Sequence, residues 1–131
     1  MVTQVSIINL LKKLRKEKHI SILIITHDLA LLSEIVDRAY ILYAGRMAEV
    51  GTAEEIFRDP KHPYTKGLIA SIPTLKSTKI EGIAGFMPDL ANLPPGCKFA
   101  PRCPYAMEVC TKEEPQLKGV KEAQSVACWL Y

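Results

Sequence analysis

Ile20-Ser21-Ile22-Leu23-Ile24-Ile25-Thr26-His27-Asp28-Leu29 is the stretch on which the fold reading turns. Its apolar positions run almost without a break from 20 to 25, and most of them are β-branched. Strands covered on both faces read as continuous apolar runs, so residues 20–26 predict a central strand of a parallel sheet. Thr26-His27-Asp28 closes the strand. Asp28 stands where an N-cap belongs, ahead of a helix over residues 29–36.

Working outward toward the N-terminus, Ile7, Leu10, Leu11 and Leu14 fall at i, i+3, i+4 and i+7, the spacing of an amphipathic helix. Lys12, Lys13, Arg15, Lys16 and Lys18 occupy its other side, and His19 ends it as an exposed residue. Toward the C-terminus, residues 39–43 predict a strand, Ala44-Gly45 a tight turn, and residues 46–50 the returning strand of a hairpin. Thr52-Ala53-Glu54-Glu55 has the spacing of a capping box opening a short helix. Asp59-Pro60 stops that helix. His62-Pro63-Tyr64 opens another, with Tyr64, Leu68 and Ile72 on one face and Pro73 at its end. His62 reads as a packing or capping residue, and neither it nor His19 as a metal ligand.

The 131 residues carry a net charge of +3, with 48% apolar and 24% charged side chains, the make-up of an ordinary globular domain. The lysine-rich stretch at 12–18 reads as a solvated helical face, so no nucleic-acid partner is expected. No run approaches the ~18 apolar residues of a membrane span. The first residues lack the pattern of a signal peptide, which fits a cytosolic setting.

After Pro73 the texture changes. Pro, Gly and polar residues dominate as far as Gly96, and helical and strand periodicities vanish. The reading divides the chain there, into residues 1–73 and a loop-rich extension over 74–131. All four cysteines, Cys97, Cys103, Cys110 and Cys128, lie in that extension. The cysteine-bearing tail of about thirty-five residues cannot bury enough apolar surface to hold itself together; below roughly 40 residues a metal or disulfides are usually required. A reducing compartment favours metal ligation over disulfides. The spacing Cys-x5-Cys-x6-Cys-x17-Cys fits neither the usual zinc pattern nor the familiar iron–sulfur runs, so it leaves the occupant open. Lys98 and Arg102 lie within the ligand loop, where cations would offset thiolate charge, and Pro101 and Pro104 stiffen the chain around Cys103.

The order of these features resembles the C-terminal end of an ATP-binding cassette. Ile24-Ile25-Thr26-His27-Asp28-Leu29 is similar to the switch-histidine loop. Asp37-Arg38 with Tyr43-Ala44-Gly45-Arg46 is similar to the hairpin that follows it, and Gly51 to Phe57 to the small helix beyond. Pro60-Lys61-His62-Pro63-Tyr64-Thr65 and Leu68 to Pro73 narrow the resemblance to the ATP-binding subunits of oligopeptide/dipeptide transporters. So do Gly85, Pro88-Asp89-Leu90, Pro94-Pro95-Gly96-Cys97, Pro101-Arg102-Cys103-Pro104 and Ala127-Cys128.

The resemblance implies an α/β fold: the C-terminal portion of a P-loop ATPase domain followed by the four-cysteine extension. It implies His27 as the catalytic histidine, contacting the γ-phosphate of ATP, with Mg²⁺ as co-substrate ion. It also implies Cys97, Cys103, Cys110 and Cys128 as ligands of a [4Fe-4S] cluster, with zinc or metal-free disulfides as alternatives. The implied partners are transmembrane permease subunits, a second ATPase subunit in a head-to-tail pair and, indirectly, a peptide-binding protein. The implied place is the cytoplasmic face of the cell membrane, as a peripheral subunit. No phosphate-cradling Gly-x-x-x-x-Gly-Lys-(Ser/Thr) loop, no cassette signature and no aspartate–glutamate pair ahead of His27 occur in these residues. The chain therefore reads as a fragment that does not hydrolyse ATP alone and that covers its open sheet by self-association or rearrangement. Two rival readings are a small four-cysteine metal-binding interaction module and a standalone regulator that pairs with a cassette.

Overall fold

The computed structural model describes residues 2–73 and 82–131. Two compact units divide the chain between Val36 and Asp37. The sequence boundary near 73–80 falls mostly on residues outside those described.

In the first unit, α1 spans Val2–Lys18. Arg15, Lys16 and Lys18 lie in its last turn, where cations complement the carbonyl end of the helix dipole. His19 stops the helix in the left-handed region, at φ 52°. Among the residues of α1 from Ser6 onward, the best covered are Ile8, Leu11 and Leu14, whereas Ile7 and Leu10 are exposed. The buried stripe is thus rotated by about one residue from the predicted one.

The structure corrects the expected central strand. Residues 20–26 are extended, and their side chains alternate between half-buried and exposed, but no ladder forms. Leu23 is 83% and Ile25 92% exposed. A strand exists through hydrogen bonds to a neighbour, and no described residue supplies one. Asp28 does cap the next helix: its Oδ1 accepts the Leu31 amide at 3.1 Å, while its own N–H donates to Thr26 Oγ1 at 3.0 Å. That helix, α2, covers only Leu29–Leu32 and dissolves into turns before Val36.

The second unit is built on a sheet that is antiparallel throughout, not parallel. β1 (Arg38–Tyr43) and β2 (Arg46–Thr52) form the predicted hairpin, from Arg38 opposite Thr52 to Tyr43 opposite Arg46, with a bulge between Ile41 and Leu42. Ala44 (φ 47°) and Gly45 (φ 75°) make the two-residue turn that matches the twist of the flanking strands. α3 (Ala53–Arg58) opens with the full capping box: Thr52 Oγ1 accepts the Glu55 amide at 3.2 Å, and Glu55 Oε2 accepts the Thr52 amide at 2.9 Å. α4 (Pro63–Ala70) starts at His62, whose Nδ1 accepts the Tyr64 amide at 3.0 Å.

The extension is more than loops. A 3-10 turn (Ala100–Arg102) and α5 (Glu108–Lys112) carry the central cysteines. Then β3 (Lys118–Gly119) and β4 (Ser125–Val126) join the hairpin, giving the order β1-β2-β4-β3. Glu49 pairs with Val126 and Val50 with Ser125. β2 is therefore an interior strand, and residues 48–51 are buried. Two-residue strands are too short for periodicity to announce, which is why the sequence reads this segment as coil.

Ala39, Ile41 and Tyr43 face inward from β1. Tyr43 meets Phe99 and Tyr64 of α4 in an aromatic cluster, with ring centroids at 4.7 Å for Tyr43–Tyr64, 5.2 Å for Tyr43–Phe99 and 5.4 Å for Tyr64–Phe99. Each such pair adds about 1 kcal/mol beyond area burial. Glu49, fully buried in β2, accepts from the Lys61 amide (2.8 Å), the His62 amide (2.9 Å) and Gln124 Nε2 (2.8 Å). One carboxylate thus ties β2 to the start of α4 and to the segment entering β4. Asp59, held down to about 2 by hydrogen bonds to Lys121 and then Lys61, fastens the β3–β4 turn to the α3–α4 connection.

Candidate metal centre

The four predicted cysteines come together. Cys97, Cys103, Cys110 and Cys128 line one small cleft, shared with His62, Phe99, Tyr105, Trp129 and Leu130. All four are free thiols, Cys110 buried and the others half-buried.

Each is delivered by its own piece of backbone. The Cys97 amide donates to the Cys110 carbonyl at 2.8 Å, so the first cysteine loop lies directly against α5. Gly96 makes that approach possible: a Cβ there would sit 2.3 Å from the Cys110 oxygen. Cys103 ends the 3-10 turn, its amide bonded to Ala100 O at 3.2 Å. Cys128 follows Ala127, whose amide extends the pairing with β2 by donating to Ala48 O at 2.9 Å.

Every sulfur also meets backbone N–H donors. Cys97 accepts from Phe99 and Ala100, Cys103 from Tyr105, and Cys128 from Leu130. Cys110 Sγ accepts from the Met107 amide at 3.4 Å. Such donors favour the thiolate. Burial acts more strongly the other way: it pushes the Cys97, Cys103 and Cys128 thiols up, and neighbouring cysteines add to the rise. A cation among the sulfurs would reverse that balance. Among the described residues, no three His, Cys, Asp or Glu side chains stand in a geometry that could hold a metal ion. The donor chemistry, four thiols on one cleft, suits a thiolate-ligated centre.

Lys98 and Arg102, expected to offset thiolate charge, also hold backbone in place. Lys98 Nζ donates to backbone carbonyls of residues 94–96 and pairs with Glu114 at 3.2 Å. Arg102 donates to Ala84 O at 3.0 Å and Ile83 O at 2.9 Å, fixing the chain that enters the extension.

His62 is the capping and packing residue the sequence predicts; what the sequence missed is its second place, in the cysteine cleft. It caps α4 and also lines the cysteine cleft, at 3% exposure. Burial pushes it down to about 4, so it is neutral at physiological pH. With Nδ1 accepting from Tyr64, the ring proton resides on Nε2. No spacing rule links residue 62 to cysteines more than 30 positions away. Glu49 was equally hidden, a lone carboxylate in an apolar strand. His27 belongs to the first unit, exposed between the extended run and α2.

Comparison with known proteins shows what kind of chain has this arrangement. Residues 48–110 match a family described as the oligopeptide/dipeptide transporter, C-terminal region. That match takes in the end of β2, α3, α4 and the first three cysteines. It is 44% identical over 130 residues to the oligopeptide transport ATP-binding protein AppD of Bacillus subtilis, covering 98% of this chain and 40% of the relative. It is 43% identical over 129 residues to the dipeptide transport ATP-binding protein DppD of the same organism (97% and 38%). To DppD of Caldanaerobacter subterraneus it is 43% identical over 133 residues (100% and 41%). The chain thus spans about two fifths of the length of these relatives.

Proposed function

We propose that this chain is the C-terminal part of an ATP-binding subunit that energises peptide import, working at the cytoplasmic face of the cell membrane as a peripheral subunit. The observation that carries the reading is the similarity along nearly the whole chain to ATP-binding proteins of oligopeptide and dipeptide transport. Residues 1–73 form the end of a P-loop ATPase domain and residues 74–131 its extension. Among the described residues no helix is long and apolar enough to cross a membrane, so permease subunits would provide the path. A second ATPase subunit would complete the ATP sites, and a peptide-binding protein would act through the permease.

His27 is the switch histidine of this reading. It is exposed beyond an extended apolar run, with Thr26 and Asp28 bracing its loop. A ring N–H there donates to the γ-phosphate as charge develops on it. The phosphate loop, the signature and the Mg²⁺ carboxylates must come from elsewhere, so the 131 residues alone do not turn over ATP. Exposed Leu23 and Ile25 support covering of the unpaired run by further cassette strands or by a second copy. Cys97, Cys103, Cys110 and Cys128 hold a metal centre that staples the extension, with [4Fe-4S] favoured over zinc.

The reading is tested by exchanging the matching segment of the Bacillus subtilis relative for residues 1–131 and measuring peptide uptake. Uptake that survives the exchange and is abolished by His27→Ala, with ATP still bound, is the expected result; loss in the unsubstituted exchange refutes it. Iron and sulfide analysis after purification without oxygen decides the occupant: four of each per chain for the cluster, one zinc for the alternative.

A further inference from the structure

Lys98 is a buried ammonium, 9% exposed. Its Nζ donates to the carbonyls of Pro94 (2.7 Å), Gly96 (3.1 Å) and Pro95 (3.4 Å), and pairs with Glu114 Oε2 at 3.2 Å. Glu114 Oε1 in turn meets Arg46 Nε at 3.2 Å. Three carbonyls and a carboxylate converging on one point are the donor set of a hard cation. Here the cation is tethered to the residue after Cys97.

Carbonyls of three consecutive residues point at one place only if the chain curls, and their dipoles oppose one another unless a cation sits between them. The curl ends at Gly96, where the chain touches the Cys110 carbonyl, and at Cys97, whose amide bonds that same carbonyl. Glu114 lies just beyond α5, on the far side of Cys110. One ammonium therefore binds both chain segments that bring Cys97 and Cys110 together. The other two cysteines are fixed separately, Cys103 by the 3-10 turn and Cys128 by pairing with β2.

We propose that Lys98 is a positioning residue for metal capture: held by the 94–96 carbonyls and Glu114, it forms the Cys97–Cys110 half of the thiolate site before the metal arrives. The proposal rests on the reading of the four cysteines as ligands. It makes Lys98 a structural cation whose place a free one can take. It also predicts a penalty that falls on metal affinity beyond any loss of stability, because an unlatched loop must be ordered each time an ion binds.

The test is a Co²⁺ titration of the reduced, metal-free full chain, read by thiolate-to-cobalt absorbance against a competing chelator. Amide exchange at Cys97 is followed in parallel. Lys98→Met keeps the stem and removes the charge; it is expected to weaken Co²⁺ binding about 10- to 100-fold, the usual effect of losing a residue that orients ligands, and to speed exchange at Cys97. Lys98→Ala with millimolar n-butylammonium is expected to recover part of both. Glu114→Gln gives a milder loss in the same direction and serves if the Lys98 variants fold poorly. Wild-type affinity and wild-type Cys97 protection in Lys98→Met overturn the proposal. An unmodified chain with no thiolate–cobalt absorbance overturns the ligand reading and the capture role with it, while exchange at Cys97 still shows whether the latch exists.

Discussion

At the scale of single residues, Gly96 and His62 carry the sharpest consequences. A methyl group on Gly96 cannot fit 2.3 Å from the Cys110 oxygen, and the obstacle is backbone, not a side-chain tip that swings away. Gly96→Ala is expected to cost about 3 kcal/mol, read as a lower urea midpoint at unchanged slope, together with loss of exchange protection at Cys97. His62 makes stability depend on pH. The folded ring titrates near 4, the unfolded one near 6.5. Between those values the unfolded chain binds the extra proton. Stability is therefore full above pH 6.5, falls as the pH drops toward 4, and levels off below. The span is about 3 kcal/mol. His62→Asn keeps an N-cap acceptor and removes the titration, so a metal-free melting series should flatten across that window; a fall unchanged from wild type would refute the assignment. Neither residue was legible in this role. A glycine before a cysteine and a histidine before a proline announce a turn and a cap, whereas their importance comes from what the folded chain places against them.

At the scale of elements, legibility followed locality. The Ala44-Gly45 turn and the Thr52–Glu55 capping box depend on neighbours in sequence, and both form as read. The strand at 20–26 and the short β4 depend on distant partners. The first was expected and finds no partner among the described residues; the second was unexpected and pairs with β2. The four cysteines were legible as a group through their confinement to the extension, but their individual supports were not. Two substitutions separate local from distant ties. Thr52→Ala should cost about 1 kcal/mol, the usual loss of a cap. Glu49→Leu removes the acceptor of the Lys61 and His62 amides and one of the two acceptors of Gln124 Nε2, which keeps Asp59 O. It should cost about 3–5 kcal/mol. Chemical denaturation monitored by circular dichroism compares them directly, and equal losses would refute the ranking.

At the scale of the whole molecule, the last ten residues hold more of the second unit together than their length suggests. They supply β4, Gln124 and Cys128, and they turn β2 from an edge into an interior strand. A chain ending at Lys121 is expected to lose cooperative thermal unfolding, measured by calorimetry; a melt like that of the full chain would refute this. The same topology bears on synthesis. Val50 waits for Ser125, 75 residues later. At ribosomal speeds of roughly 5–20 residues per second, that delay lasts about 4–15 s. Through that interval the nascent hairpin presents an unpaired β2 edge to solvent, so this is the stage at which a chaperone, or another nascent copy, has its opportunity.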